Sequence, residues 1–258
     1  MRNIKALLEY EGTGFNGFCI QPGPRTVQGE FEEALKKITG ETIRVTPASR
    51  TDSGVHAWGQ VVNFKTECAI ETIELKQALN ANLSSDIDVL EVSEVPLAFN
   101  ARKDAKSKEY IYYIYNSRDI RVALRRYVWA IGHTLDLKEM SEAAKCLLGE
   151  KDFSSFANAD DARSSNNFVR TLYSAEVEEK DFVLPFLSPC EKETLLGLRF
   201  KGNGFLYKMV RSIVGTLVDV GVGKISVSRF KKIIEAKNRV MASVTAPAQG
   251  LHLLRVEY

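Results

Sequence analysis

Little in this chain declares its chemistry by abundance. Cysteine is scarce: Cys19, Cys68, Cys146 and Cys190 are widely scattered, and the three histidines stand equally apart. Such spacing argues against a structural zinc site and for reduced thiols. Cys146, among Ala143, Ala144, Leu147 and Leu148 in a helical pattern, reads as a small buried apolar residue. Long hydrophobic runs are also missing, since none approaches the roughly 18 apolar residues that a membrane span needs. The N-terminus enters a strand-like pattern without an apolar signal region, so a cytoplasmic protein is expected. Charge of one sign is absent too. A net charge of +2 and a pI near 8.2 do not by themselves argue for a nucleic-acid partner.

What is present suits a globular protein. With 258 residues, 45% of them hydrophobic, the chain can bury a sizeable core as one large domain or as two lobes. Alternation predicts a strand over 3–10, helical spacing a helix over 27–39, strands over 44–48 and 60–65, a helix over 73–83 and a strand over 87–95. This is the split β-α-β-β-α-β order also used by RNA-recognition modules. The second half offers a strand over 108–115, a helix over 137–148, strands over 169–179 and 194–201, helices over 205–220 and 227–237, and a last strand over 250–257. The order is similar, without a matching residue repeat. An α+β fold is expected, with two ferredoxin-like, RNA-recognition-like lobes (1–102 and 103–258) forming one broad, mostly antiparallel sheet with helices on one side. The polar stretch 158–167 and the segment 180–193, which carries two prolines, read as surface insertions.

Arg50-Thr51-Asp52-Ser53-Gly54-Val55-His56-Ala57 places a carboxylate between a cation and a tight-turn dipeptide, at the end of one predicted strand and before another. Ser53-Gly54 turns the backbone there. Asp-Ser-Gly is also an ordinary turn sequence in which the Asp bonds only its own backbone. Between residues 102 and 126 basic residues outnumber acids and tyrosines interleave with them, as phosphate contact and base stacking require; a solvated strand edge with core tyrosines fits equally. Tyr110 and Tyr112 share one face of their strand, and Ile111, Tyr113 and Tyr115 the other, so one face should be core and the other a platform. With Leu206, Val210, Ile213 and Leu217 as the core face of its helix, Arg211 falls about 130° away, beside Tyr207, Val214 and Val218. There it either meets an anion or snorkels into water. Arg50 is placed to reach a phosphate or the gap left by a flipped base, or is simply a surface cation.

The octapeptide resembles the signature of the A family of tRNA pseudouridine synthases, Gly-Arg-Thr-Asp-x-Gly-Val-His-Ala, with Ser49 where the family has Gly. Further segments extend the match along nearly the whole chain: Tyr10-Glu11-Gly12-Thr13 with Phe15, Gly17 and Gln21; Thr26-Val27-Gln28; Phe99-x-Ala101-Arg102; Lys108-x-Tyr110-x-Tyr112; Gly204-Phe205 through Met209-Val210-Arg211; and Ala246-Pro247-Ala248 with Gly250-Leu251. Phe18-Cys19 stands where members usually carry Trp-Gln. The resemblance implies conversion of uridine to pseudouridine in the anticodon stem-loop of tRNA, at positions 38 to 40, by a homodimer without metal or other cofactor. It implies Asp52 as the catalytic aspartate, Arg211 as the cation that pairs with it, Tyr110 as the residue stacking on the target uracil, and Arg50 as the residue entering the gap left by the flipped base. His56 either fixes the loop or touches substrate.

The reaction breaks the N1–C1′ bond, rotates the uracil and rejoins it through C5. One ionised carboxylate suffices, as nucleophile toward ribose or base or as the base removing the ribose 2′ proton. A pseudouridine synthase with another RNA target and a non-catalytic two-lobed RNA-binding protein are the alternatives. A hydrolase using Asp52 with His56, or Cys19 with a histidine, lacks an accompanying nucleophile elbow or metal spacing.

Overall fold

The structure, a computed structural model, describes residues 1–158, 167–183 and 192–258; most of the expected 158–167 insertion and the middle of the 180–193 one lie outside them. The fold is α+β with mostly antiparallel strands, and the described residues hold ten strands and five α-helices. The chain divides into two compact units, Met1–Lys108 with His252–Tyr258, and Glu109–Leu251. No described helix is long and apolar enough to cross a membrane.

In the first unit, β1 (Arg2–Tyr10) runs antiparallel to both β3 (His56–Thr66) and β4 (Ile87–Val95). Ile4, Ala6, Leu8 and Tyr10 alternate into the core. Helix α1 (Val27–Thr39) begins where Thr26 accepts the Gly29 N–H at its side chain and ends where Gly40 turns left-handed, burying Val27, Phe31, Ala34 and Leu35. Helix α2 (Thr72–Asn82) buries Leu75 and Leu79. The strand expected over 44–48 shrinks to β2 (Thr46–Pro47), because the Val45 N–H goes to the Glu32 side chain (3.0 Å) and Pro47 has no N–H to give. Strand β2 therefore occupies only part of the β3 edge opposite β1, at Val62 and Asn63. At the start of that edge β10 (Leu251–Glu257) pairs in parallel, His252 with His56 and Leu253 with Ala57. Gly59 permits the approach, since a Cβ there would lie 2.3 Å from the Leu254 carbonyl oxygen. The last strand, assigned from chain order to the 103–258 lobe, thus lies in the first unit, because a parallel pairing across almost the whole chain leaves no local signal.

The second unit has strand order β5 (Ser107–Tyr115), β9 (Lys192–Gly202), β8 (Val169–Val183), β7 (Gly149–Asp152), with β6 (Trp129–Ala130) parallel to β5. Strands β8 and β9 form a long antiparallel pair whose ends run into the 180–193 segment, so the flanks of that expected insertion are strand. Helix α3 (Leu137–Lys145) is capped by Asp136 and α5 (Val227–Ala236) by Ser226. Between them in the chain, α4 (Met209–Gly221) starts later than the apolar spacing suggested: Lys208, with φ of 59°, breaks the helical path before it. Leu206 and Tyr207 therefore precede the helix. Its core face is also broader than expected, because every residue is buried except the charged Arg211 and Asp219.

Candidate active site

In the first unit the chain between β2 and β3 carries the signature, and buried polar groups hold it in place of a strand ladder. Gln60, fully buried in β3, accepts the Ser49 N–H at Oε1 (3.2 Å) and donates from Nε2 to the Ser49 carbonyl (2.7 Å). That two-point clasp mimics a neighbouring strand. Ser49 keeps negative φ, so a serine where the family has Gly carries no left-handed strain. The Thr51 hydroxyl shares a 2.7 Å hydrogen bond with the Tyr10 hydroxyl, and its carbonyl accepts the Phe18 N–H at 3.1 Å. The turn at Asp52 closes through Val55 N–H to the Asp52 carbonyl (3.2 Å), with Gly54 at a φ of 77°.

The opening segment of the sequence packs directly on this turn. Phe15 offers its carbonyl to the Gly54 N–H (3.3 Å) and the Ser53 hydroxyl (3.2 Å). Gly17 has a φ of +85°, and a Cβ on it would sit 2.8 Å from the Thr51 carbonyl; on Gly12 it would lie 2.0 Å from the Val55 carbonyl. His56, 1% exposed, accepts the Gly12 N–H at Nδ1 (3.0 Å) and stacks on His252 with ring centroids 4.7 Å apart. With Nδ1 accepting, the neutral ring carries its proton on Nε2. His56 thus fixes the loop. The outcome is a half-buried Asp52 on a backbone held from three directions, with the exposed Arg50 two residues before it. Arg50 and Arg102 both lower the pKa of the Cys19 thiol, which burial pushes up more strongly.

In the second unit the remaining predicted residues have a different frame. Tyr110 is only 5% exposed and meets Phe205 edge-on, with centroids 5.1 Å apart. Tyr112, on the same strand face, is fully buried; its hydroxyl donates to the Pro247 carbonyl (2.8 Å), and its ring fills the space that a Cβ on Gly250 would need, 2.5 Å away. Tyr112 is a core residue. Burial pushes its phenol above the ordinary tyrosine range, and the nearby Arg211 guanidinium opposes that rise. Arg211 donates from Nε to the Ala246 carbonyl (2.8 Å) while the Ala246 N–H bonds the Arg211 carbonyl (3.1 Å). That reciprocal pair, with Gly215 where a Cβ would lie 1.9 Å from the Val244 carbonyl, seats segment 244–250 on α4.

Sequence reasoning did not assign Gln60, Tyr10 or the 246–247 carbonyls to the site. A glutamine inside an apolar strand was the one visible signal, because a buried amide requires partners. Among the described residues no group of three His, Cys, Asp or Glu side chains could hold a metal ion.

A family model described as tRNA pseudouridine synthase matches residues 6–103 and 143–258. Over its full length the chain is similar to proteins named tRNA pseudouridine synthase A. The protein of Geobacillus kaustophilus is 43% identical, with 100% of this chain and 95% of the relative covered. That of Acetivibrio thermocellus is 42% identical, covered completely on both sides, and that of Listeria welshimeri is 42% identical over 260 aligned positions, again with full coverage of both. The whole signature loop lies inside the matched region, and on this breadth of agreement the chain belongs to the tRNA pseudouridine synthase family.

Proposed function

We propose that this chain is an isomerase that converts uridine to pseudouridine in the anticodon stem-loop of tRNA, at positions 38 to 40. Family membership supports the reaction class. The observation that carries the reading at residue level is the construction of the loop: a half-buried carboxylate on a backbone fixed by Gln60, Tyr10 and His56. Preorganisation of this kind suits a group that must meet one atom of a substrate.

Asp52 acts as nucleophile or base. The N1–C1′ bond breaks, the freed uracil turns while held, C5 bonds to C1′, the C5 proton leaves to solvent, and N1 takes up a proton, so that product and substrate are isomers. The sum is redox-neutral and needs no second substrate. Arg50, Tyr110 and Arg211 bind substrate: Tyr110 supplies an aromatic face to a base that has left the RNA stack, and Arg211 supplies the cation that keeps a desolvated carboxylate ionised. The chain acts in the cytoplasm as a homodimer of two-lobed subunits. A ferredoxin-like first lobe is supported by its β-α-β-β-α-β order and its β4-β1-β3-β2 strand arrangement.

The test is nucleoside analysis and position mapping of an unmodified tRNA transcript after incubation with the protein. Pseudouridine at positions 38 to 40 is expected, with Tyr110→Phe retaining product and Tyr110→Ala and Arg211→Ala losing it. Pseudouridine elsewhere in the RNA would move the substrate assignment, and tight binding without product would leave a non-catalytic RNA-binding protein.

A further inference from the structure

Close to the Asp52 loop a second turn presents a cation that the reading above does not use. Residues 96–104, after β4, are bound down as heavily as the signature loop. Asn63, 6% exposed, accepts the Ala101 N–H at Oδ1 (2.8 Å) and donates from Nδ2 to the Phe99 carbonyl (3.3 Å) and to Asn3 Oδ1 (3.0 Å). Asn3 donates in turn to the carbonyls of Pro96 (3.0 Å) and Phe99 (2.9 Å). Asn100 Oδ1 accepts the N–H groups of Arg102 (3.1 Å) and Lys103 (3.0 Å), and the Tyr258 hydroxyl donates to the Ala101 carbonyl (2.7 Å). The backbone of Arg102 is thereby fixed on both sides, while its side chain is exposed. A rigid base under a solvated guanidinium lowers the entropy lost when that guanidinium binds something.

The direction in which Arg102 leaves the fold is set by packing. Ala101 and Ala48 are fully buried in one cluster with Val61. Arg102 follows Ala101 directly, and Arg50 lies two residues beyond Ala48. The two guanidinium groups come near enough to one point that both act on the Cys19 thiol. A third cation stands at the foot of the pair, where Lys108 Nζ donates to the Ala48 carbonyl (2.6 Å). Among the described residues neither Arg50 nor Arg102 is paired with a carboxylate. Arg2, Arg25 and Arg199 show the contrast, each with an ion-paired acid. Exposed guanidinium groups on fixed backbones, neither of them ion-paired, are available to an anion that a ligand brings. The anion that every RNA brings is its backbone phosphate, and a guanidinium fork suits its oxygens.

We propose that Arg102, beside Arg50, forms a phosphate subsite that grips the RNA backbone next to the target nucleotide, with Arg102 as a substrate-positioning residue. This rests on the reading that the substrate is tRNA. Because the contact is to phosphate, it contributes affinity and register but carries no base specificity.

The experiment titrates an unmodified tRNA transcript against the native chain, Arg102→Ala, Arg102→Lys and, as an equal loss of charge at an exposed site on α1, Lys37→Ala, across a series of salt concentrations. For each, the single-turnover rate of pseudouridine formation at saturating RNA is measured as well. Arg102→Ala should bind about tenfold more weakly at low salt. Its slope of log affinity against log salt should be shallower by about 0.7 to 0.9, the value of one lost phosphate contact. Its saturated rate should stay within about threefold of native, the pattern of lost ground-state binding. Arg102→Lys should keep the slope, and Lys37→Ala should match the native chain. An unchanged slope in Arg102→Ala, an equal drop in Lys37→Ala, or a saturated rate that falls as steeply as affinity would each overturn the subsite. Absence of pseudouridine with the native chain would refute the isomerase reading instead, while the slopes would still report on the phosphate contact.

Discussion

The loop around Asp52 and the frame around Tyr110 and Arg211 place side chains by opposite physical means. In the loop buried polar groups hold the backbone: Gln60 clasps Ser49, Tyr10 meets Thr51, His56 takes the Gly12 N–H, and Gly12 and Gly17 let backbones touch. In the second unit packing dominates. Helix α4 is buried nearly all round, Tyr110 and Tyr112 are buried, and Arg211 and Tyr112 each donate to a carbonyl, those of Ala246 and Pro247. A segment with no strand or helix of its own must satisfy its backbone through buried polar side chains. A helix satisfies its own backbone, so its neighbours can be chosen for shape. Damage to the loop should therefore cost activity more than stability, and damage to the frame the reverse.

The largest stability effect belongs to the frame. Tyr112→Ala empties a fully enclosed site and should destabilise the chain by about 3–5 kcal/mol in denaturant unfolding. Gly12→Ala acts on the loop, where the new Cβ meets the Val55 carbonyl and the turn carrying Asp52 must shift. Turnover should drop about 100-fold, with only about 1–3 kcal/mol lost from stability. If Gly12→Ala unfolded the chain as severely as Tyr112→Ala, the contrast between the two regions would be wrong.

Gln60→Leu sharpens the comparison, because it removes both halves of the Ser49 clasp while keeping bulk. It should cost about 1–3 kcal/mol and lower activity by more than that destabilisation explains at temperatures where the variant is folded. The smallest effect should come from Tyr112→Phe, about 0.5–1.5 kcal/mol near neutrality for one lost hydrogen bond. It also has a signature in pH. The folded phenol titrates above its ordinary value of 10.0 because burial disfavours the phenolate. Above that value the unfolded chain releases a proton that the folded chain keeps, so this contribution is complete below pH 10 and lost as pH rises beyond it. Stability of the native chain should decline more steeply above pH 10 than that of Tyr112→Phe; parallel curves would show that the phenol is not shielded.

Much of this architecture was legible in the residues, where the signal was local. Helix α1 was predicted over its full observed span because its apolar residues recur at helical spacing, and the strand over 87–95 from its pattern alone. The errors fell where a distant partner or one backbone angle decided the outcome. Pro47 shortened a strand that composition favoured, Lys208 in the left-handed region delayed α4, and β10 found its partner at β3. At the candidate site the sequence singled out Asp52, but not the clasp beneath it or the 246–247 carbonyls. Those contacts join segments far apart in the chain, and a lone Gln60, Tyr10 or Ala246 carries no periodic signature that would reveal them.

Asp52 is the residue on which the proposed chemistry depends, and one comparison tests that directly: release of tritium from a tRNA transcript labelled at uridine C5, without added cofactor, by the native chain and by Asp52→Asn. Asp52→Asn keeps the side chain's size while removing its charge and basicity. A catalytic Asp52 requires release by the native chain, a loss of more than about 10³-fold in the variant, and tRNA binding that survives the change. Release by Asp52→Asn at a rate close to native would contradict it.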